Sequence, residues 1–247
     1  HTSRKSFSEA WLSKPAYFLA WTTTPWTLPG NTALAVAADA EYAVVELDNE
    51  YLILASALIE RVGLGDHKVV ATLNGSDLRG VSYEALFNPH QYGIERRRPQ
   101  TFFNRDVSKT LQLQKPKEDL TYSVIATDFV SLEDGTGIVH IAPAYGEVDF
   151  EAMFAEEPGV DFVHPVDLQG MITGNYPFSG LFVKEADPLV LKDLEDRKLL
   201  FRSEKIRHTY PFCWRCEAPL LYYAKQTWYI RTTAVKGSLI AGNDEIN

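Results

Sequence analysis

The sequence predicts an α+β domain: a β-barrel with helices packed around it. Short runs of β-branched and aromatic residues recur along the chain, among them Val44-Val45-Glu46-Leu47, Tyr51-Leu52-Ile53-Leu54 and Ile138-Val139-His140-Ile141. Helical periodicity is confined to a few stretches. With 247 residues, 45% of them hydrophobic and 12% aromatic, the chain has enough apolar mass for one large core.

In chain order, residues 15–24 read as a strand, with Trp21 and Thr23 on one face and Thr22 and Thr24 on the other. Pro25 ends it by forcing Thr24 into an extended conformation. The two aliphatic runs at 44–47 and 51–54 flank Asp48-Asn49, a hairpin signal. Residues 56–62 form a short helix closed by Gly63. Residues 88–119, rich in Pro, Arg and Gln, form an excursion over the surface. A second hairpin is expected from 121–130 and 137–141 around Asp134-Gly135, and helices at 147–157 and 185–200, with Val190, Leu191 and Leu194 sharing a face. The last third returns to strand-like runs at 220–223 and 228–230. The whole, 1–247, reads as a single domain whose 205–247 segment returns towards the core of a larger protein and carries half of a possible zinc ribbon.

Bulk properties narrow the function. No run approaches 18 apolar residues and no charged-then-apolar leader opens the chain, so a soluble, cytoplasmic domain with no membrane partner is expected. The abrupt start and polar end are those expected of a piece of a larger protein. A formal charge of −9 opposes a tight, non-specific grip on nucleic acid. Two basic stretches, Arg96-Arg97-Arg98 with Arg105 and the Arg197 to Arg207 region, read most simply as solvated faces.

Two segments about a hundred residues apart concentrate reactive groups. The first is Trp21-Thr22-Thr23-Thr24-Pro25-Trp26-Thr27-Leu28-Pro29-Gly30-Asn31. The second is Gly135-Thr136-Gly137-Ile138-Val139-His140-Ile141-Ala142-Pro143, followed by Asp149. A threonine hydroxyl both donates and accepts, so hydroxyls at a fixed strand end can orient a water and hold an ester or ribose oxygen; Thr is equally an ordinary strand former. Asn31 is either a ligand or a turn residue after Pro29-Gly30. His140 is either a satisfied core histidine or a site residue. Asp149 lies in the first turn of a predicted helix, where the dipole keeps a carboxylate ionised; that makes it a poor base and a good partner for an ammonium group. The chain has no Gly-x-Ser-x-Gly, no Ser-His-Asp order and no phosphate-cradling loop, so water is the nucleophile if this is a hydrolase. Cys213-Trp214-Arg215-Cys216 is a lone Cys-x-x-Cys: half of a zinc site completed outside this chain, or two buried thiols.

These segments closely resemble the editing domain inserted in isoleucyl-tRNA synthetases. The resemblance runs through WTTTPWTLPGN, GTGIVHIAPAYGEVDF and HTYPFCWRCEAPLLYY. Valyl and leucyl relatives look like Thr-Thr-Arg-Pro where this chain has Thr23-Thr24-Pro25-Trp26, and the valyl family has Lys in place of His140. Ala144-Tyr145-Gly146 departs from the Gly-His-Gly of many bacterial members. The two ATP-site signatures of the family, His-Ile-Gly-His and Lys-Met-Ser-Lys, are absent. The aminoacylation core and its use of ATP are therefore expected elsewhere in a parent enzyme.

The resemblance implies a hydrolase that deacylates Val-tRNA(Ile), and valyl-adenylate as a further substrate, with the tRNA(Ile) acceptor end and the remainder of the synthetase as partners. A module that docks the acceptor end without catalysis is the alternative. The need for such a site is physical: within this very family one methylene is known to distinguish isoleucine from valine by only about 1–3 kcal/mol. The implied roles are Asp149 on the substrate α-ammonium and His140 excluding isoleucine. Trp26 and Tyr210 are expected to line the aliphatic pocket. Thr22, Thr23 and Thr24, with Asn31, are expected to hold the terminal adenosine and position water. No cofactor is expected within the domain; zinc at Cys213 and Cys216 requires ligands outside it.

Overall fold

The computed structural model describes residues 14–99, 113–114, 122–155, 160–205, 211–225, 227–228 and 230–246. The strands are β1 (Ala16–Phe18), β2 (Ala33–Ala37), β3 (Glu41–Leu47), β4 (Glu50–Ala55), β5 (Lys68–Asn74), β6 (Ser82–Tyr83), β7 (Arg96–Pro99), β8 (Leu113–Gln114), β9 (Tyr122–Thr127), β10 (Ile138–Ile141) and β11 (Phe162–Val163). The helices are α1 (Ile59–Val62), α2 (Gly75–Leu78), α3 (Glu147–Ala155), α4 (Val183–Asp196) and α5 (Thr232–Ile246).

Two four-stranded sheets, ordered β1-β4-β3-β5 and β10-β2-β9-β6, make the body of the fold. Just beyond β1, the Trp21 N–H donates to Ile138 O at 3.2 Å and Trp21 bridges Val139 in parallel, so the sheets join edge to edge. The joined sheet curls over one core. Val36, Tyr42, Val44, Tyr51, Ile53, Val124 and Ile138, drawn from both sheets, pack in a single cluster. At about 1.5–3 kcal/mol for each fully buried aliphatic or aromatic side chain, this shared interior is what holds the curl. The architecture is thus the α+β, barrel-like one expected from sequence.

Strand β2 is decisive because both its faces are buried. Strand side chains alternate between faces. Leu34 and Val36 enter the inter-sheet core, while Ala33 and Ala35 enter a second core beneath α3 and α4. The second core holds Trp26, Met153, Val163, Phe178, Val183, Val190 and Leu194. Small alanines on this face let the helical layer approach closely.

The first hairpin forms as expected, with Leu47 opposite Glu50 and Asp48 at φ +51° in the turn. The helix at 56–62 also forms, as a 3-10 turn running into α1 and ended by Gly63 in the left-handed conformation. The second hairpin does not form. β9 and β10 lie on opposite sides of β2, parallel and antiparallel to it, because the Ala-rich β2, weak in β-propensity, inserts between them. Gly137, at φ +72°, starts β10 where a Cβ would come within 2.5 Å of the Ala55 Cβ.

The strand expected over 15–24 shrinks to β1 and the bridge at Trp21. Runs 220–223 and 228–230 acquire no strand among the described residues: Trp228 and Ile230 are exposed and find no sheet edge to join. Instead α5 follows, without a buried side chain. The excursion at 88–119 contains a 3-10 turn, Pro89–Tyr92, and the paired strands β7 and β8. There Arg96 is not a solvated residue. Its side chain is fully buried and its Nε lies 3.1 Å from Asp161 Oδ2, while Arg98 Nε donates to Asp161 Oδ1 at 2.8 Å. The guanidinium follows its carboxylate partner into the interior, since a buried charge is tolerated only when paired.

Candidate functional site

Pro25 opens a 3-10 turn, Pro25–Gly30, because its fixed φ suits the first helical position and it brings no orphan N–H. In such a turn residues i and i+3 eclipse. Thr24 and Thr27 therefore stack, their hydroxyl oxygens 3.2 Å apart, and the Thr27 hydroxyl donates to the Thr24 carbonyl at 2.8 Å. Thr22 Oγ1 accepts the Thr24 N–H at 3.1 Å. Thr23 is exposed.

His140 reaches this turn from β10. Its Nε2 is 3.2 Å from both Thr22 Oγ1 and Thr27 Oγ1. The Thr27 proton is already committed to the Thr24 carbonyl, so His140 must be the donor in its bond to Thr27. That places the proton of the neutral ring on Nε2. Thr22 then accepts from one or two N–H groups and keeps its own hydroxyl proton for a further partner. Burial holds the imidazole at about 4, so it is uncharged at neutral pH.

Asp149 stands in the first turn of α3, with Oδ2 accepting the Ala142 N–H at 2.9 Å, two residues beyond His140. Gly146 permits this approach, since a Cβ there would lie 2.9 Å from Asp149 Cγ. Desolvation pushes the Asp149 carboxyl above its ordinary range, and the Ala142 amide pulls it partly back. The helix end therefore does not act alone, as reasoning from sequence assumed: partial burial opposes it.

Asn31 is buried, and its amide is occupied within the protein. Its Nδ2 donates to Ala33 O at 2.7 Å and Ile141 O at 3.3 Å, and its Oδ1 accepts from the Tyr83 hydroxyl at 2.7 Å. These bonds tie β2 to the end of β10. Trp26 is buried in the second core, edge-on against Tyr145 with ring centroids 4.9 Å apart. Tyr210 lies outside the described residues.

Cys213 and Cys216 sit on a tight knuckle. Cys213 N–H donates to Ala218 O at 2.8 Å and Glu217 N–H to Cys213 O at 2.9 Å, beneath a Phe212–Pro219 bridge. Amides of Arg215 and Cys216 directed at its sulfur lower the Cys213 thiol. Among the described residues no group of three or more potential metal-binding side chains occurs.

The structure thus brings Thr22, Thr24 and His140 into one hydrogen-bonded group, anchors Asp149 on the backbone two residues beyond His140, and adds Thr27, which sequence reasoning left out. Its signal was present: a hydroxyl three residues after Thr24, across a proline that sets helical φ.

No protein-family model matches the chain. It is similar to the isoleucine–tRNA ligase of Dehalococcoides mccartyi strain CBDB1, 53% identical over 234 residues, 95% of this chain and 22% of that protein. The ligases of Clostridium novyi (41% over 232 residues; 94% and 20%) and Picrophilus torridus (39% over 234 residues; 95% and 20%) are also similar. The chain spans about a fifth of the length of these relatives. Among solved structures, GlLeuRS-CP1 matches with TM-score 0.54 at 19% identity, covering 77% of this chain and 85% of that one. The P. knowlesi cytosolic leucyl-tRNA synthetase editing domain matches with TM-score 0.52 at 10% identity, covering 89% of this chain and 88% of that one.

Proposed function

The chain is homologous, along nearly its whole length, to a segment of the isoleucine–tRNA ligases and has the fold of a synthetase editing domain; on that premise we propose that it hydrolyses the ester of valine mischarged on tRNA(Ile), and of valyl-adenylate. The observation that carries this reading is the meeting of Thr22 and Thr27 with His140 at 3.2 Å, with Asp149 held on the backbone amide two residues beyond the histidine.

Asp149 offers one carboxylate oxygen to Ala142, and the other takes the substrate α-ammonium. Desolvation strengthens that ion pair. The uncommitted Thr22 proton donates to the ester carbonyl or to the attacking water. His140 is neutral and too weak a base to abstract a proton efficiently, so catalysis rests on orientation and on hydroxyl dipoles around an already activated ester. His140 limits the side-chain space and excludes isoleucine. Asn31 acts by holding β2 and β10, and the exposed Thr23 contacts the tRNA end, cytoplasmic in setting. Cys213 and Cys216 would offer two thiolates to a zinc, whose remaining ligands would have to come from outside this chain.

Incubating the chain with Val-tRNA(Ile) tests the reading. Release of valine, its abolition in Asp149→Ala with an unchanged circular dichroism spectrum, and hydrolysis of Ile-tRNA(Ile) by His140→Ala are expected. Binding of the tRNA without valine release identifies a docking module instead.

A further inference from the structure

The 3-10 turn that presents Thr24 and Thr27 is not capped by its own N-cap residue. Helical turns leave their first N–H groups without internal partners, and a Thr at the N-cap ordinarily supplies the acceptor. Here Thr24 occupies that position and makes no side-chain cap bond. Its hydroxyl is turned to Thr27 instead. The orphan N–H of Trp26 is taken by Asp187 Oδ1 at 2.8 Å, from α4, 161 residues further along the chain. Asp187 is partly buried. Desolvation raises its carboxyl, while the Trp26 amide and the nearby Lys184 lower it.

We infer that Asp187 is a positioning residue for the hydrolytic site, acting through the turn as a cap supplied from another element. By accepting the Trp26 amide it relieves Thr24 of capping, so that the Thr24 and Thr27 hydroxyls stay in register with His140. Its hydrogen bond is to the Trp26 amide rather than to Thr22, Thr27 or His140, and its effect reaches the chemistry through the backbone of Pro25–Gly30. Without it, the Thr24 hydroxyl is drawn back to its own turn and the Thr27–His140 bond loses its fixed geometry. This inference rests on the proposed deacylation for its kinetic test, but not for its structural one.

The test compares Asp187→Ala, which removes the acceptor, with Asp187→Asn, which keeps an oxygen at the same reach. A charge-assisted hydrogen bond to a buried amide is worth enough to change rates about tenfold or more. In the intact chain, Asp187→Ala should lower kcat for Val-tRNA(Ile) deacylation by about that factor, with KM within about twofold, and Asp187→Asn should restore most of it. Independently of activity, hydrogen exchange of the Trp26 amide should rise about tenfold in Asp187→Ala and stay near wild type in Asp187→Asn. The His140 imidazole NMR signals should shift only in the alanine variant. If Asp187→Ala does not fold, Asp187→Ser, too short to reach the amide, takes its place. Wild-type kcat and wild-type Trp26 protection in the truncated variant would overturn the inference, as would equal losses in both variants. If the wild-type chain releases no valine, the proposed function fails, while amide exchange and the imidazole signals still decide the role of Asp187.

Discussion

Thr27 Oγ1 and His140 Nε2, 113 residues apart in the chain, lie 3.2 Å from each other at the junction of the 3-10 turn and β10. This contact joins the two chemistry-bearing segments directly. It also fixes the ring tautomer, because the Thr27 proton is already given to the Thr24 carbonyl.

Replacing Thr27 by valine keeps the volume and removes the acceptor for the His140 N–H. Valine release from Val-tRNA(Ile) should fall by about tenfold or more, the consequence of losing one or two buried hydrogen bonds at the site. Initial rates at saturating substrate check this, and an unchanged rate would mean that Thr27 only packs.

His140 also makes stability pH-dependent. Its folded value of about 4 is below the 6.5 of a free imidazole, so the native state favours the neutral ring. That contribution is complete above pH 6.5 and is lost progressively as pH falls toward 4, up to about 3 kcal/mol. Asp149 has the opposite sign: its raised carboxyl favours folding in the acid form, below the ordinary carboxylate range. Denaturant melts between pH 7 and 4.5 should show stability falling with acidity in the wild type, and a visibly smaller slope in His140→Gln.

Asn31→Ala deletes an amide that makes three internal hydrogen bonds and leaves the Tyr83 hydroxyl and two carbonyls without it. A loss of about 1–3 kcal/mol is expected, lowering Tm by several degrees. Thermal melts measure the loss. If Asn31 served substrate alone, Tm would not move while KM rose.

Asp161 is the carboxylate between Arg96 and Arg98. Asp161→Ala should destabilise the fold by about 3–5 kcal/mol, because it deletes one half of a buried ion pair whose guanidinium is fully removed from water. Urea denaturation gives the value. A loss under 1 kcal/mol would mean that water or another group takes over the guanidinium.

Much of this molecule is legible in its residues. The apolar runs at 44–47 and 51–54, the Asp48 turn between them and the Gly63 helix stop are local signals, and each of these appears where local propensity places it. The grouping of threonines, His140 and Asp149 was readable as a set of reactive side chains, and the Pro25 turn even encodes the Thr24–Thr27 pairing. What the residues in order do not carry is which segments become neighbours. Ala33–Ala37 has the composition of no obvious strand; it is central because burial on both faces rewards small and aliphatic side chains there, which only the packed sheets and helices define. That placement separates β9 from β10 and sets His140 on the strand beside β2; packing elsewhere brings Asp187 to the Trp26 amide and Asp161 to the Arg96 guanidinium. The sequence by itself determined the strand-rich class and the chemical inventory of the site; the tertiary structure decided the pairing order, the burial that keeps His140 uncharged, and the long-range hydrogen bonds, because these depend on desolvation and contact between segments far apart in the chain.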